Sequence, residues 1–126
     1  SLYSVADTPE ALREVVQSYP GSVPAGNALL RLADLARDEG NLDKAADELD
    51  AFVGNYPGHP LIGAGWLALG GVRQAQGNTE AALEAYRTSS GSHPKSYAAP
   101  LALLAEAKLI SEQGAQGEAR AILESI

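Results

Sequence analysis

The chain has 126 residues, 45% apolar and 20% charged, enough for one domain with a real hydrophobic core. Its net charge is −7 with only nine Lys and Arg, which argues against nucleic acid or an anionic membrane surface as partner. No Cys is present, which excludes disulfides, Cys-ligated zinc and thiol catalysis. Residues 1–57 hold ten acidic and four basic side chains, net −6. That acidic front half either steers a basic partner or is a solvated surface. No apolar run reaches the ~18 residues of a membrane span, and no signal-peptide pattern is present. The chain begins with Ser and contains no Met. It is therefore expected to be a processed or excised piece, from which an anchor or targeting segment can have been removed.

The first helical pattern opens at Thr8, a capping residue, with Pro9 suited to the first position and Leu12, Val15 and Val16 as its stripe. Residues 25–41 place Leu29, Leu32, Ala33 and Ala36 on one face. Gly40 supplies the positive φ that ends this helix, and Asn41 caps the next, whose stripe is Ala45, Leu49 and Phe52. Pro57 stops propagation. Further helices are expected over 60–76, 79–90, 96–113 and 116–126. That makes seven helices and no strand, with turns at 19–24, 40–41, 56–60, 77–78, 93–96 and 114–116.

These elements repeat. Tyr19-Pro20-Gly21 returns as Tyr56-Pro57-Gly58, 37 residues on, and Pro94 follows at the same step with His93 in place of Tyr. Gly40, Gly77 and Gly114 keep the step, as do Ala45, Ala82 and Ala119, then Leu49, Tyr86 and Leu123, then Leu30, Leu67 and Leu104. The expected organisation is a single domain. Residues 1–20 hold the second helix of a partial repeat, followed by repeats over 22–57, 58–94 and 95–126.

Trp66-x2-Leu69-Gly70, Ala82-x3-Tyr86 and Pro94 resemble the tetratricopeptide repeat (TPR) pattern W-x2-L-G-x2-Y, A-x3-F, P. Arg73 departs from it at the first Tyr. The flanking repeats are looser, with Leu29-x2-Leu32-Ala33 and Leu103-x2-Glu106-Ala107. The resemblance implies an all-α solenoid of antiparallel helix pairs in a right-handed superhelix. The step of 37 exceeds the family's usual ~34. The longer turn, with "YPGHP", is similar to TPR units of bacterial cell-envelope proteins. Those are the translocon-associated membrane-anchored type, the Tol-Pal coordinator type and the lipoprotein of the β-barrel assembly machine. A periplasmic or envelope location is the corresponding expectation, with the cytoplasm left open.

The Gly-rich stretch 56–78 is not a phosphate-cradling loop, because "GAGWLALGG" lacks G-x-G-x-x-G spacing and no strand precedes it. Gly70 and Gly63 are expected where helices approach closely, and Gly71 has no packing role in this pattern. Trp66 is expected to anchor the core rather than to stack on a ligand. His59 and His93 precede prolines in turns and are expected to be exposed, without metal-ligand spacing. No nucleophile motif occurs. The chain is read as non-enzymatic, with no cofactor and no metal.

By register, the resemblance places Asn27, Leu30, Asp34 and Arg37, then Ala64, Leu67, Gly71 and Gln74, then Leu101, Leu104, Lys108 and Ser111 on the concave face. There Leu30, Leu67 and Leu104 either form an apolar line for a peptide or partner helix, or are buried between repeats. The carboxylate clamp of chaperone-tail TPR proteins does not carry over. Its positions hold Leu30, Asp34, Gly71, Leu104 and Lys108, of which only the last matches. The implied function is a protein–protein interaction module, a scaffold or accessory in envelope secretion or assembly. A homo-oligomerisation module and the non-catalytic part of a larger enzyme are the alternatives. Leu2, Tyr3 and Val5 at one end, and Ala119, Ile122, Leu123 and Ile126 at the other, form stripes that are expected to be covered by a second copy or by further sequence.

Overall fold

The computed structural model describes residues 8–126. Seven helices follow one another: α1 (Pro9–Ser18), α2 (Val23–Asp38), α3 (Leu42–Asn55), α4 (Ile62–Ala75), α5 (Thr79–Ser92), α6 (Ala98–Glu112) and α7 (Gln116–Glu124). No strand occurs among the described residues. The expected all-α architecture of consecutive helix pairs is what forms. The chain divides after Ile62 into two compact units. In the first, α1 packs on α2 and α2 on α3; in the second, α5 packs on α6 and α6 on α7. Leu2, Tyr3 and Val5 lie outside the described residues.

Local chemistry accounts for the helix boundaries. The side chains of Thr8, Ser22, Asn41 and Asn78 accept the backbone N–H of Ala11, Ala25, Lys44 and Ala81, each satisfying a donor with no partner inside its helix. At the other ends, Gly40, Gly77 and Gly114 adopt φ of 77°, 83° and 95°. Around Gly40 the N–H of Asn41 donates to the Ala36 carbonyl (2.8 Å) and that of Gly40 to Arg37 (2.9 Å), the paired bonds of a Schellman stop. The same two bonds recur one step later at Asn78–Arg73 and Gly77–Gln74, and again at Ala115–Ile110 and Gly114–Ser111.

The longer connections also repeat. The N–H groups of Ser22, His59 and Ser96 donate to the carbonyls of Tyr19, Tyr56 and His93, at 3.2, 3.1 and 3.0 Å. These turns are shorter at one end or longer at the other than the sequence suggests. Pro24 lies inside the first turn of α2, where its missing N–H costs nothing, and α4 begins only at Ile62.

Helix contacts are set by side-chain size. In the first unit Leu12 meets Ala28 and Leu32, flanked by Val15, Val16 and Leu35. In the second, Leu83 and Tyr86 of α5 join Ala102, Ala107, Leu109 and Ile110 of α6. Gly70 has no room for a Cβ because the Tyr86 ring lies against it. Ser89, fully buried, donates from Oγ to the Gly63 carbonyl at 2.8 Å. Trp66 is only partly buried, whereas Leu69 and Val72 on the same helix are almost completely so. Leu69 and Val72, rather than Trp66, are thus the most deeply buried large side chains of α4.

His59 also corrects the sequence-based expectation. It is buried, 6% exposed. Nδ1 accepts the Leu61 N–H at 3.0 Å, and since a backbone N–H can only donate, Nδ1 carries no proton. Nε2–H therefore donates to the Val23 carbonyl at 3.1 Å. The ring stands edge-on to Phe52, centroids 5.0 Å apart, and Tyr56 stacks on Phe52 at 5.9 Å. Tyr56 Oη accepts the Gly21 N–H at 3.2 Å. An imidazole and a phenol thus lock one turn to the start of α2.

Two carboxylates are buried with arginine partners. Glu48 meets Arg13 at 2.5 Å, and Glu106 meets Arg87 at 2.6 Å. Glu106 stands in register with Leu32 and Leu69, both core residues.

Candidate functional site

The residues assigned to the concave face fall on α2, α4 and α6, and the structure treats them differently. On α2, Asn27, Asp34 and Arg37 are exposed and Leu30 is half-buried. On α4, Leu67 is partly buried and packs against the cluster that α5, α6 and α7 share. Gln74 accepts a hydrogen bond from Tyr86 Oη at 2.6 Å, so its side chain is committed to α5. Gly71 is half-buried. On α6, Leu104 is 51% exposed, Leu101 is nearly as open, and Lys108 is exposed.

Leu104 and Lys108 meet in one cleft, of about 440 Å³, between α6 and α7. Ala107 and the buried Ala119 form part of its apolar lining, with Leu104 on one wall and Leu123 on the other. Lys108, Ser111 and Glu112 add polar groups from α6, and Gln116 and Arg120 from α7. Sequence reasoning assigned Leu104, Lys108 and Ser111 to the concave face, and did not single out Glu112, Gln116 or Arg120. The available signal was the repeat register, since Thr79 and Leu83 are the counterparts of Gln116 and Arg120 one repeat earlier.

That register also explains why the cleft is apolar. Leu123 is 48% exposed, yet its counterparts Leu49 and Tyr86 are 2% and 3% exposed. Ile126 is exposed, whereas its counterparts Phe52 and Ser89 are fully buried. Leu123 and Ile126 thus stand at register positions that are buried in the preceding repeats.

A second cleft, about 270 Å³, lies in the first unit between residues 21–23 and 55–59. Its ring groups, His59 and Tyr56, already bond to backbone. Among the described residues no group of three His, Cys, Asp or Glu is placed to hold a metal ion, and no helix is long and apolar enough to cross a membrane.

Comparison with protein families matches residues 5–60 to the tetratricopeptide repeat. The match takes in the first unit, and the cleft between α6 and α7 lies beyond it. Tetratricopeptide repeats generally mediate protein–protein interaction and are typically non-catalytic. Comparisons with curated proteins and with solved structures gave no match.

Proposed function

We propose, starting from the tetratricopeptide-repeat match over residues 5–60, that this chain is a non-enzymatic module that binds a protein partner as a peptide or helix. The observation that carries the proposal is the α6–α7 cleft, where Leu104 and Leu123 are half exposed beside Lys108, Arg120 and Glu112. Apolar anchors ringed by polar groups are the usual anatomy of a protein contact. Asn27, Asp34 and Arg37 offer a separate polar face on α2. The 37-residue step and the "YPGHP" turn favour a scaffold or accessory role in the bacterial envelope.

Affinity capture from envelope and cytosolic extracts tests this, using the chain and its Leu104→Glu variant as baits. The expected result is an envelope protein held by the parent chain and lost from the variant. Identical capture by both baits would overturn the assignment of the cleft, and enrichment from cytosol alone would overturn the location.

A further inference from the structure

One repeat step relates Ser22, His59 and Ser96, and the three do the same task with different chemistry. Ser22 Oγ accepts the Ala25 N–H and Ser96 Oγ the Ala98 N–H, both at 3.1 Å. Between them in the chain, His59 Nδ1 accepts the Leu61 N–H at 3.0 Å. Each satisfies a backbone donor where a helix begins. A hydroxyl oxygen keeps its lone pairs throughout the physiological pH range. An imidazole Nδ1 has a single lone pair, and a proton takes it.

The site of His59 leaves no place for that proton. The ring is 6% exposed, and its Nε2–H is already given to the Val23 carbonyl. With Nδ1 protonated as well, two N–H donors would face each other at Leu61. The ring has little room to shift, because Gly26 backs onto its Cδ2 and Nε2 and Phe52 stands edge-on to it. The groups that face it are Val23 and Gly26 of α2, Phe52 and Tyr56 of α3, and Leu61 of its own turn. Tyr56 is the one titratable group of that set, and its Oη accepts the Gly21 N–H. The other residues that line the adjoining cleft, Gly21, Ser22, Asn55, Pro57 and Gly58, carry no charge. An imidazolium there would be a buried cation with no carboxylate facing it, which is costly.

We propose that His59 is an acid-sensitive latch: protonation of its ring frees the turn at 56–61 from the start of α2 and loosens the first unit, while Ser96, at the equivalent place in the second unit, holds its bond at either pH. This does not depend on what the chain binds. The folded unit requires the neutral ring, whereas an imidazole in the unfolded chain takes its proton near pH ~6.5. The unfolded state therefore binds more protons in acid. The latch contributes its full stability above that pH and loses it as the pH falls.

The test compares the parent chain with His59→Asn, whose side-chain oxygen can accept the Leu61 N–H and cannot take up a proton. Between about pH 7.5 and about pH 5.5 the folding constant from urea melts should fall about tenfold further in the parent than in the variant, the limit for one proton bound only by the unfolded chain. His93→Asn should keep the parent's dependence. Hydrogen exchange on the parent needs no variant to fold. The protection factor of the Leu61 amide should drop in acid, while that of Ala98 holds.

Equal pH dependence of the parent and His59→Asn overturns the proposal. A Leu61 amide equally protected at both pH values also overturns it, and so does a pH dependence that His93→Asn removes.

Discussion

Gly26 of α2 and the imidazole of His59 lie so close that a Cβ at position 26 would overlap ring atoms Cδ2 and Nε2, with Phe52 at 3.2 Å behind. Only hydrogen fits there. Gly26→Ala should therefore destabilise the chain by about 1–3 kcal/mol, as overpacking does, despite the better helix propensity of Ala. In a His59→Ala background the same change should be close to neutral. A double-mutant cycle of urea melts measures the coupling, and strict additivity would contradict the contact.

Gly70 and Tyr86 form a second size-matched pair, whose counterparts one step earlier are Ala33 and Leu49. Gly70→Ala alone should cost about 1–3 kcal/mol. Adding Tyr86→Leu recreates the earlier pair and should recover most of that loss, less the bond from Tyr86 to Gln74. Thermal melts of the two variants decide it; a double variant no better than the single one refutes the size match.

Arg87 and Glu106 make opposite predictions for two substitutions. Arg87→Ala strands a carboxylate that is only 8% exposed and should cost about 1–3 kcal/mol. Glu106→Leu installs the residue that its register counterparts already carry, and should be neutral or stabilising. Denaturant midpoints should rank Glu106→Leu at or above the parent and Arg87→Ala below it.

Gly21 and Gly58 are equivalent in sequence but not in conformation. Gly21 has φ +82°, while Gly58 is absent from the left-handed region, and neither Cβ would meet a neighbour. Gly21→Ala should cost about 1–2 kcal/mol for the left-handed backbone. Gly58→Ala should gain about 0.4–1 kcal/mol by reducing the freedom of the unfolded chain. Equal effects in parallel melts would show that the two turns are the same.

The helices and their ends were legible because their causes are local. Thr8, Asn41 and Asn78 cap, and Gly40, Gly77 and Gly114 stop, by bonds within five residues. His59 was misjudged because its partners, Val23 and Gly26, lie more than thirty residues away and nothing near position 59 marks them. Its register with Ser22 and Ser96, whose Oγ atoms accept the N–H of Ala25 and Ala98, was the usable hint. Glu106 was similarly hidden, since a carboxylate at a core position reveals itself only through Arg87. In the candidate site, Leu104 and Lys108 could be placed by register, but that Gln74 is tied to Tyr86 depends on side-chain geometry.

The bonds that tie the first unit together join Arg13 to Glu48, Gly21 to Tyr56 and Val23 to His59, spanning 35, 35 and 36 residues. Each closes a loop of nearly the same length, so each carries nearly the same entropic barrier. During synthesis, the start of α2 cannot be latched until residue 59 has left the ribosome, and it needs nothing later. Folding of this unit is thus timed by the repeat length rather than by the length of the whole polypeptide. A stalled nascent chain ending a few residues short of His59, outside the exit tunnel, would hold its three helices with the first turn of α2 still unlatched.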